Sequence, residues 1–208
     1  EMDVIIQRLL DGRTYNSVVL GPGLGRTLLS HAFFVSMLKA LHENDIRRLV
    51  LDGDGLFHLA MARHAVKDYI MPSWIITPHF MEASRLTGIE VAELKRNRVE
   101  SAEKLAEITG MIALLKGPAT VVSDGNNTYI NTTGNEALAT AGAGDVLTGI
   151  IGSLLSQGHG PVSAAAAGAY IHGAAADLYV EKHRAEIMKA RDIIDFIRPV
   201  LDGLTDKG

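Results

Sequence analysis

Short apolar, β-branched runs that alternate with longer helical patterns constrain this chain most. Ser17-Val18-Val19-Leu20, Leu49-Val50-Leu51 and Trp74-Ile75-Ile76 each read as a strand followed by a helical stretch. That alternation predicts an α/β architecture with a largely parallel central sheet. Leu28, Leu29, Phe33, Val35, Leu38 and Leu41 predict a broad apolar helix face after the first strand. A second helix is expected from about Leu56 to Arg63, and a short one through Glu82 and Leu86. A charged helix near Glu100–Thr109 leads to strands at Met111–Leu115 and Thr120–Ser123. Asp124-Gly125-Asn126-Asn127 has hairpin chemistry and pairs that last strand with Tyr129-Ile130-Asn131. The final third reads as helical, with Val146, Leu147, Ile150, Ile151, Leu154 and Leu155 as the buried stripe of a central helix. No repeat, low-complexity tract or linker divides the chain, so residues 1–208 read as one domain.

Composition excludes several functions. The 208 residues carry 20 Lys plus Arg against 24 Asp plus Glu, a net charge of -4, and no basic cluster longer than a pair. Nucleic acid is not expected as a partner. With no cysteine, thiolate zinc sites, iron–sulfur clusters and cysteine nucleophiles are out, and a cytoplasmic location is expected. Between Asp145 and Asp177 no Asp, Glu, Lys or Arg occurs, but Gln157-Gly158-His159-Gly160-Pro161 splits the stretch into two short pieces. Two buried helices joined by a turn, rather than a membrane span, are predicted.

Candidate chemistry collects at strand ends. Gly21–Gly25, Asp52–Gly55 and Thr77–Glu82 follow three strands at their carboxyl ends, the side on which open α/β sheets bind ligands. Thr140-Ala141-Gly142-Ala143-Gly144-Asp145 runs straight into the central helix. A Gly-rich turn at a helix N-terminus favours an anion through its N–H groups and the helix dipole. Asp145 would stand beside that anion hole as acceptor or base, or it caps the helix. Asp52 and Asp54 could orient substrate or, through water, Mg²⁺, but helix capping is the preferred reading. His172, in an Ala/Gly-rich helix, is read as packing. The small Gly168 and Gly173 let that helix press against a neighbour, either in the core or at a subunit contact.

Gly-Ala-Gly-Asp before a buried helix resembles the signature of the ribokinase-like superfamily. Further segments resemble one family within it, the ADP- or ATP-dependent NAD(P)H-hydrate dehydratases. They are Gly21-Pro22-Gly23-Leu24-Gly25, Leu51-Asp52-Gly53-Asp54-Gly55-Leu56, Thr77-Pro78-His79 with Glu82 and Arg85-Leu86, Leu115-Lys116-Gly117-Pro118-Ala119-Thr120, and Thr133-Gly134-Asn135 through Leu138–Asp145. The matches keep their order from about Ser17 to Gly158.

The resemblance implies a ribokinase-like three-layer αβα fold and a repair lyase acting on hydrated NADH or NADPH. Such an enzyme phosphorylates the added hydroxyl from ADP or ATP with Mg²⁺, then eliminates phosphate. It implies Asp145 as catalytic base and substrate contact, and Gly142, Ala143 and Gly144 as the anion hole. Lys116, Gly117, Pro118, Ala119, Thr120, Asn135 and Gly144 would bind the nucleotide. Gly23, Gly25 and His79 would bind the hydrated cofactor. From the residues alone a solvated strand-end lysine is the preferred reading of Lys116, while Gly23 and Gly25 are equally a tight turn and His79 equally a first-turn helix residue. No residue is assigned to a metal. The family's opening strand and helices have no counterpart before Glu1, so the N-terminal part of the usual domain is expected to be missing. A homo-oligomer, a tetramer by the family's habit, is expected. The alternatives are a hydroxymethyl- or hydroxyethyl-group kinase of the same superfamily, and a non-catalytic nucleotide-binding relative.

Overall fold

The computed structural model of the chain describes residues 2–184 and 187–205. In order, these form α1 (Met2–Leu10), β1 (Val18–Leu20), α2 (Leu28–Glu43), β2 (Leu49–Leu51), α3 (Asp54–Val66), β3 (Ile75–Ile76), α4 (Phe80–Thr87), α5 (Val91–Arg96) and α6 (Arg98–Thr109). There follow β4 (Ile112–Leu115), β5 (Val121–Ser123), β6 (Thr128–Ile130), α7 (Ala143–Ser156), α8 (Pro161–His183) and α9 (Ala190–Thr205). The strands make one six-stranded sheet in sequential order. β1 to β4 are parallel, β4 pairs antiparallel with β5, and β5 pairs antiparallel with β6, the last as the 124–127 turn predicts.

A sheet whose parallel strands follow chain order, joined by right-handed crossovers, carries every crossover helix on the same face. The packing agrees. Leu49, Leu51, Ile76, Ala113, Leu115 and Val121 pack with residues of α1 to α6 in one cluster. Their neighbours Val50, Ile75, Ile112, Leu114 and Val122 point the other way, onto Leu147, Ile151 and Leu155 of α7 and Ala164, Ala165 and Ala169 of α8. Both faces are covered, which is why β2, β3 and β4 read as unbroken apolar runs rather than alternating ones. α9 lies against α8, with Ile193, Phe196 and Val200 in a third cluster.

One local expectation is corrected, and one of two open readings is met. The buried residues of α2 are Phe34, Met37, Leu38 and Leu41, whereas Leu28 and Leu29 are 88% and 70% exposed. At roughly 100° per residue those two leucines lie more than 100° round the helix from Phe34, off the core face. The small residues of α8 act within the chain. A Cβ on Gly168 would meet Ile151 of α7 at 2.5 Å, and one on Gly173 would meet Thr133 Oγ1 at 2.3 Å. No helix among the described residues is long and apolar enough to cross a membrane.

Candidate active site

One cavity of about 1230 Å³ opens beyond the carboxyl ends of the central strands. That is ample for a nucleotide, since small-molecule sites typically span about 300–1,000 Å³. It is lined by Lys116-Gly117-Pro118-Ala119-Thr120 after β4, by Asn131 and residues 133–136 after β6, and by Ala143 and Gly144 at the start of α7. His79 and Phe80, Lys95 and Arg98, and Ala169, His172 and Gly173 of α8 complete most of the wall. Three cationic side chains against the single acid Glu136 make it a place for an anion.

The 116–120 segment has its shape for packing reasons. A Cβ on Gly117 would meet the Phe80 ring at 2.7 Å, so only glycine lets the backbone pass. Ala119 holds a left-handed φ of 50°, a strain of about 1 kcal/mol or more that the surrounding loop sustains. The 131–135 segment is stitched to α8. Asn131 Nδ2 donates to the Ala169 carbonyl at 3.2 Å and Thr133 Oγ1 to the Tyr170 carbonyl at 2.9 Å. Asp177 accepts from Gly134 N–H and Asn135 Nδ2, both at 2.8 Å.

At the N-terminus of α7, Gly142 is the N-cap with φ 85°. The expected anion hole is partly altered, because Ala143 N–H donates to the Thr140 carbonyl at 3.3 Å. The N–H groups of Gly142, Gly144 and Asp145 have no partner among the described residues and are the open donors. Beneath Gly144 lies an ion pair. Lys116 Nζ donates to Asp52 Oδ1 at 2.7 Å, with Lys116 22% and Asp52 4% exposed at the side chain. A Cβ on Gly144 would sit 3.3 Å from Asp52 Oδ2 and 3.4 Å from Lys116 Nζ. Lys116 is therefore no solvated strand-end lysine, and Asp52 does not cap α3, whose N-cap Gly53 makes no side-chain cap.

The same Asp52 anchors the loop after β1. A Cβ on Gly21 would collide with the Asp52 carbonyl at 1.9 Å, so Gly21 lets the loop cross β2. Gly25 is gripped on both sides by α3. Asp54 accepts its N–H at 2.9 Å, and His58 Nε2 donates to its carbonyl at 2.8 Å. Arg26 Nε donates to the other Asp54 oxygen at 2.6 Å. Burial works against the Asp54 carboxylate, but the hydrogen bonds from Arg26 and Gly25 outweigh it and hold the group below its ordinary range.

The expected residues thus divide in two. Lys116 to Thr120, Asn135, Ala143, Gly144 and His79 line the cavity; Gly142, Asp145, Gly23 and Gly25 do not. Asp145 is exposed on the first turn of α7, next to Gly144. His79 is the N-cap of α4, its Nδ1 accepting from the N–H groups of Met81 and Glu82 while Glu82 returns a bond to His79 N–H. Asp52 was undervalued by the sequence reading, although an acid directly after a buried strand was a usable signal. Lys95, Arg98 and Asn131 carry no local pattern that marks the cavity, and Thr133 and Gly134 were not read as cavity residues although they belong to the segment that resembles the family.

His172 is corrected from packing to cavity wall. It is 8% exposed, and Nε2 donates to the Ala143 carbonyl at 2.9 Å. Burial, with Lys116 nearby and despite that carbonyl, pushes its pKa from 6.5 to about 4. A base depressed on folding binds fewer protons folded than unfolded between those values, so stability falls as pH drops from about 6.5 to 4. The expected contribution of this one group is roughly 3 kcal/mol. Urea unfolding of wild type and His172→Gln at pH 7 and pH 4.5 measures it. The glutamine variant should lose less stability on acidification, and equal losses would refute the assignment.

Comparison with known proteins shows the family and the fold. Residues 2–199 match the Carb_kinase family, described as NAD(P)H-hydrate dehydratase. The chain is 38% identical over 208 residues to the bifunctional NAD(P)H-hydrate repair enzyme Nnr of Moorella thermoacetica, covering 99% of this chain and 38% of that one. It is 42% identical over 170 residues to the ADP-dependent (S)-NAD(P)H-hydrate dehydratase of Neisseria meningitidis serogroup B, covering 80% and 56%. The chain thus spans about two fifths to just over half of these relatives. The ADP/ATP-dependent NAD(P)H-hydrate dehydratase of Bacillus subtilis, co-crystallised with ATP/Mg²⁺ and soaked with CoA, superposes with a TM-score of 0.77 at 30% identity, covering 95% and 70%. A ribokinase-like superfamily protein of Enterococcus faecalis V583 superposes at 0.78 with 23% identity, covering 96% and 66%, and supports the fold alone. With nearly its whole length matched, the chain belongs to the NAD(P)H-hydrate dehydratase family of the ribokinase-like fold.

Proposed function

We propose that the chain is a hydro-lyase that repairs hydrated NADH and NADPH at the expense of ADP or ATP. The observation that carries this reading is the single cavity in which Lys116–Thr120, Asn135 and the open N-terminus of α7 converge. The nucleotide phosphates lie between Lys116 and the N–H groups of Gly144 and Asp145, which take up charge on the transferring group. Asp145, one residue beyond the cavity lining, accepts the proton of the added hydroxyl as that oxygen takes the phosphoryl group. Loss of phosphate then restores the reduced ring. The hydrated cofactor approaches over the loop of Gly23 and Gly25, which α3 holds rigid. No group of three or more His, Asp or Glu side chains among the described residues is placed to hold a metal ion. Mg²⁺ in this reading arrives with the nucleotide phosphates, and no residue is assigned to it.

The test follows 340 nm absorbance of purified protein with prepared NADH hydrate, Mg²⁺ and either ADP or ATP. Recovery of absorbance with release of one phosphate per cofactor is expected. A stable phosphorylated product, or no recovery from folded protein that binds nucleotide, would overturn the proposal.

A further inference from the structure

Outside the residues the resemblance points to, the cavity holds one buried polar group with an unused atom. His172 Nε2 faces the Ala143 carbonyl, and a carbonyl only accepts, so Nε2 carries the hydrogen. A neutral imidazole has one N–H, which leaves Nδ1 as a bare lone pair. No described residue donates to Nδ1. Among the described residues no fully buried side-chain nitrogen or oxygen lacks a partner, so Nδ1 is open, and the ring lines the cavity. What faces it follows from the wall. α8 contributes Ala169, His172 and Gly173, none of them charged near neutrality, while Lys95, Arg98 and Lys116 come from other elements. A lone pair repels phosphate oxygens and attracts an O–H or N–H.

We infer that His172 reads a hydrogen-bond donor of the bound nucleotide beside its phosphates, its Nδ1 accepting from a ribose hydroxyl or the exocyclic amine of the base. This rests on the nucleotide reading of the cavity and adds to it a residue that selects the ligand. The ring stays uncharged at neutral pH because burial keeps its pKa near 4, and Ala143 fixes which nitrogen is free.

Two substitutions separate the halves of the ring. Glutamine places an amide N–H where Nε2 stands and keeps the bond to Ala143 but removes the acceptor. Asparagine places a carbonyl near Nδ1 and keeps the acceptor but loses the bond to α7. Calorimetric titration with ADP, 2′-deoxy-ADP, IDP and inorganic pyrophosphate should show His172→Gln weakening ADP by about tenfold, one hydrogen bond's worth. His172→Asn should retain most ADP affinity while melting earlier, and pyrophosphate binding should be unchanged in both. In the wild type, one of the two analogues should show the same loss, and that discrimination should vanish in the glutamine variant. ADP binding by His172→Gln at wild-type strength, or equal weakening of ADP and pyrophosphate, would overturn the inference alone. Wild-type protein that binds neither ADP nor ATP would overturn the nucleotide reading beneath it.

Discussion

Asp145→Asn is expected to lower turnover by roughly 10²–10⁴-fold, the usual contribution of a positioned general base. Nucleotide affinity should barely move, because the Gly144 and Asp145 N–H groups are backbone and survive the exchange. Stability should shift by no more than about 0.5 kcal/mol: the side chain is exposed, and only the modest interaction of a carboxylate with the first turn of α7 is lost. The combination is diagnostic. A folded variant that binds ADP normally and fails to turn over places Asp145 in the chemistry. Turnover within tenfold of wild type at saturating substrate would mean that Asp145 acts only through its charge on the first turn of α7.

The sheet was legible because strand and helix periods differ and because β1, β2 and β5 are followed at once by Gly21, Asp52 and Asp124. Val18–Leu20 and Leu49–Leu51 were readable to within a residue, and the hairpin through Asp124–Asn127 announced the antiparallel turn at β5. The face of α2 was misjudged, since counting leucines without their angles puts Leu28 and Leu29 with Leu38. At the site, contiguous segments were legible and long-range partners were not. Lys116 to Asp52 spans 64 residues and Asn135 to Asp177 spans 42. No local pattern encodes such pairs; the fold makes them by bringing the ends of β2 and β4 together and laying α8 across the 131–135 loop. The same limit explains His172. Its helix looked like packing because Ala and Gly surround it, and only the approach of α7 and the cavity give the ring two different nitrogens.

The Asp52–Lys116 pair should produce the largest loss of stability, and an asymmetric one. Breaking a buried pair leaves a charge without its partner, which costs about 3–5 kcal/mol when both ends are fully buried. Here the two ends differ. Asp52 is almost sealed, whereas Lys116 keeps contact with the open cavity. Lys116→Met strands the sealed carboxylate and should cost about 3 kcal/mol or more. Asp52→Asn strands an ammonium that can turn toward water, and keeps an oxygen for it to bond, so about 1–2 kcal/mol is expected. The double variant removes both charges and should be more stable than the sum of the single losses, with a coupling of roughly 1–3 kcal/mol. Chemical denaturation of the four proteins closes this cycle, and strict additivity would show that the pair contributes nothing mutual. Activity should follow a different order. Both Lys116 variants lose the cation proposed to meet the phosphates, while Asp52→Asn retains it less firmly placed under Gly144. Asp52→Asn should therefore raise KM for the nucleotide more than it lowers kcat.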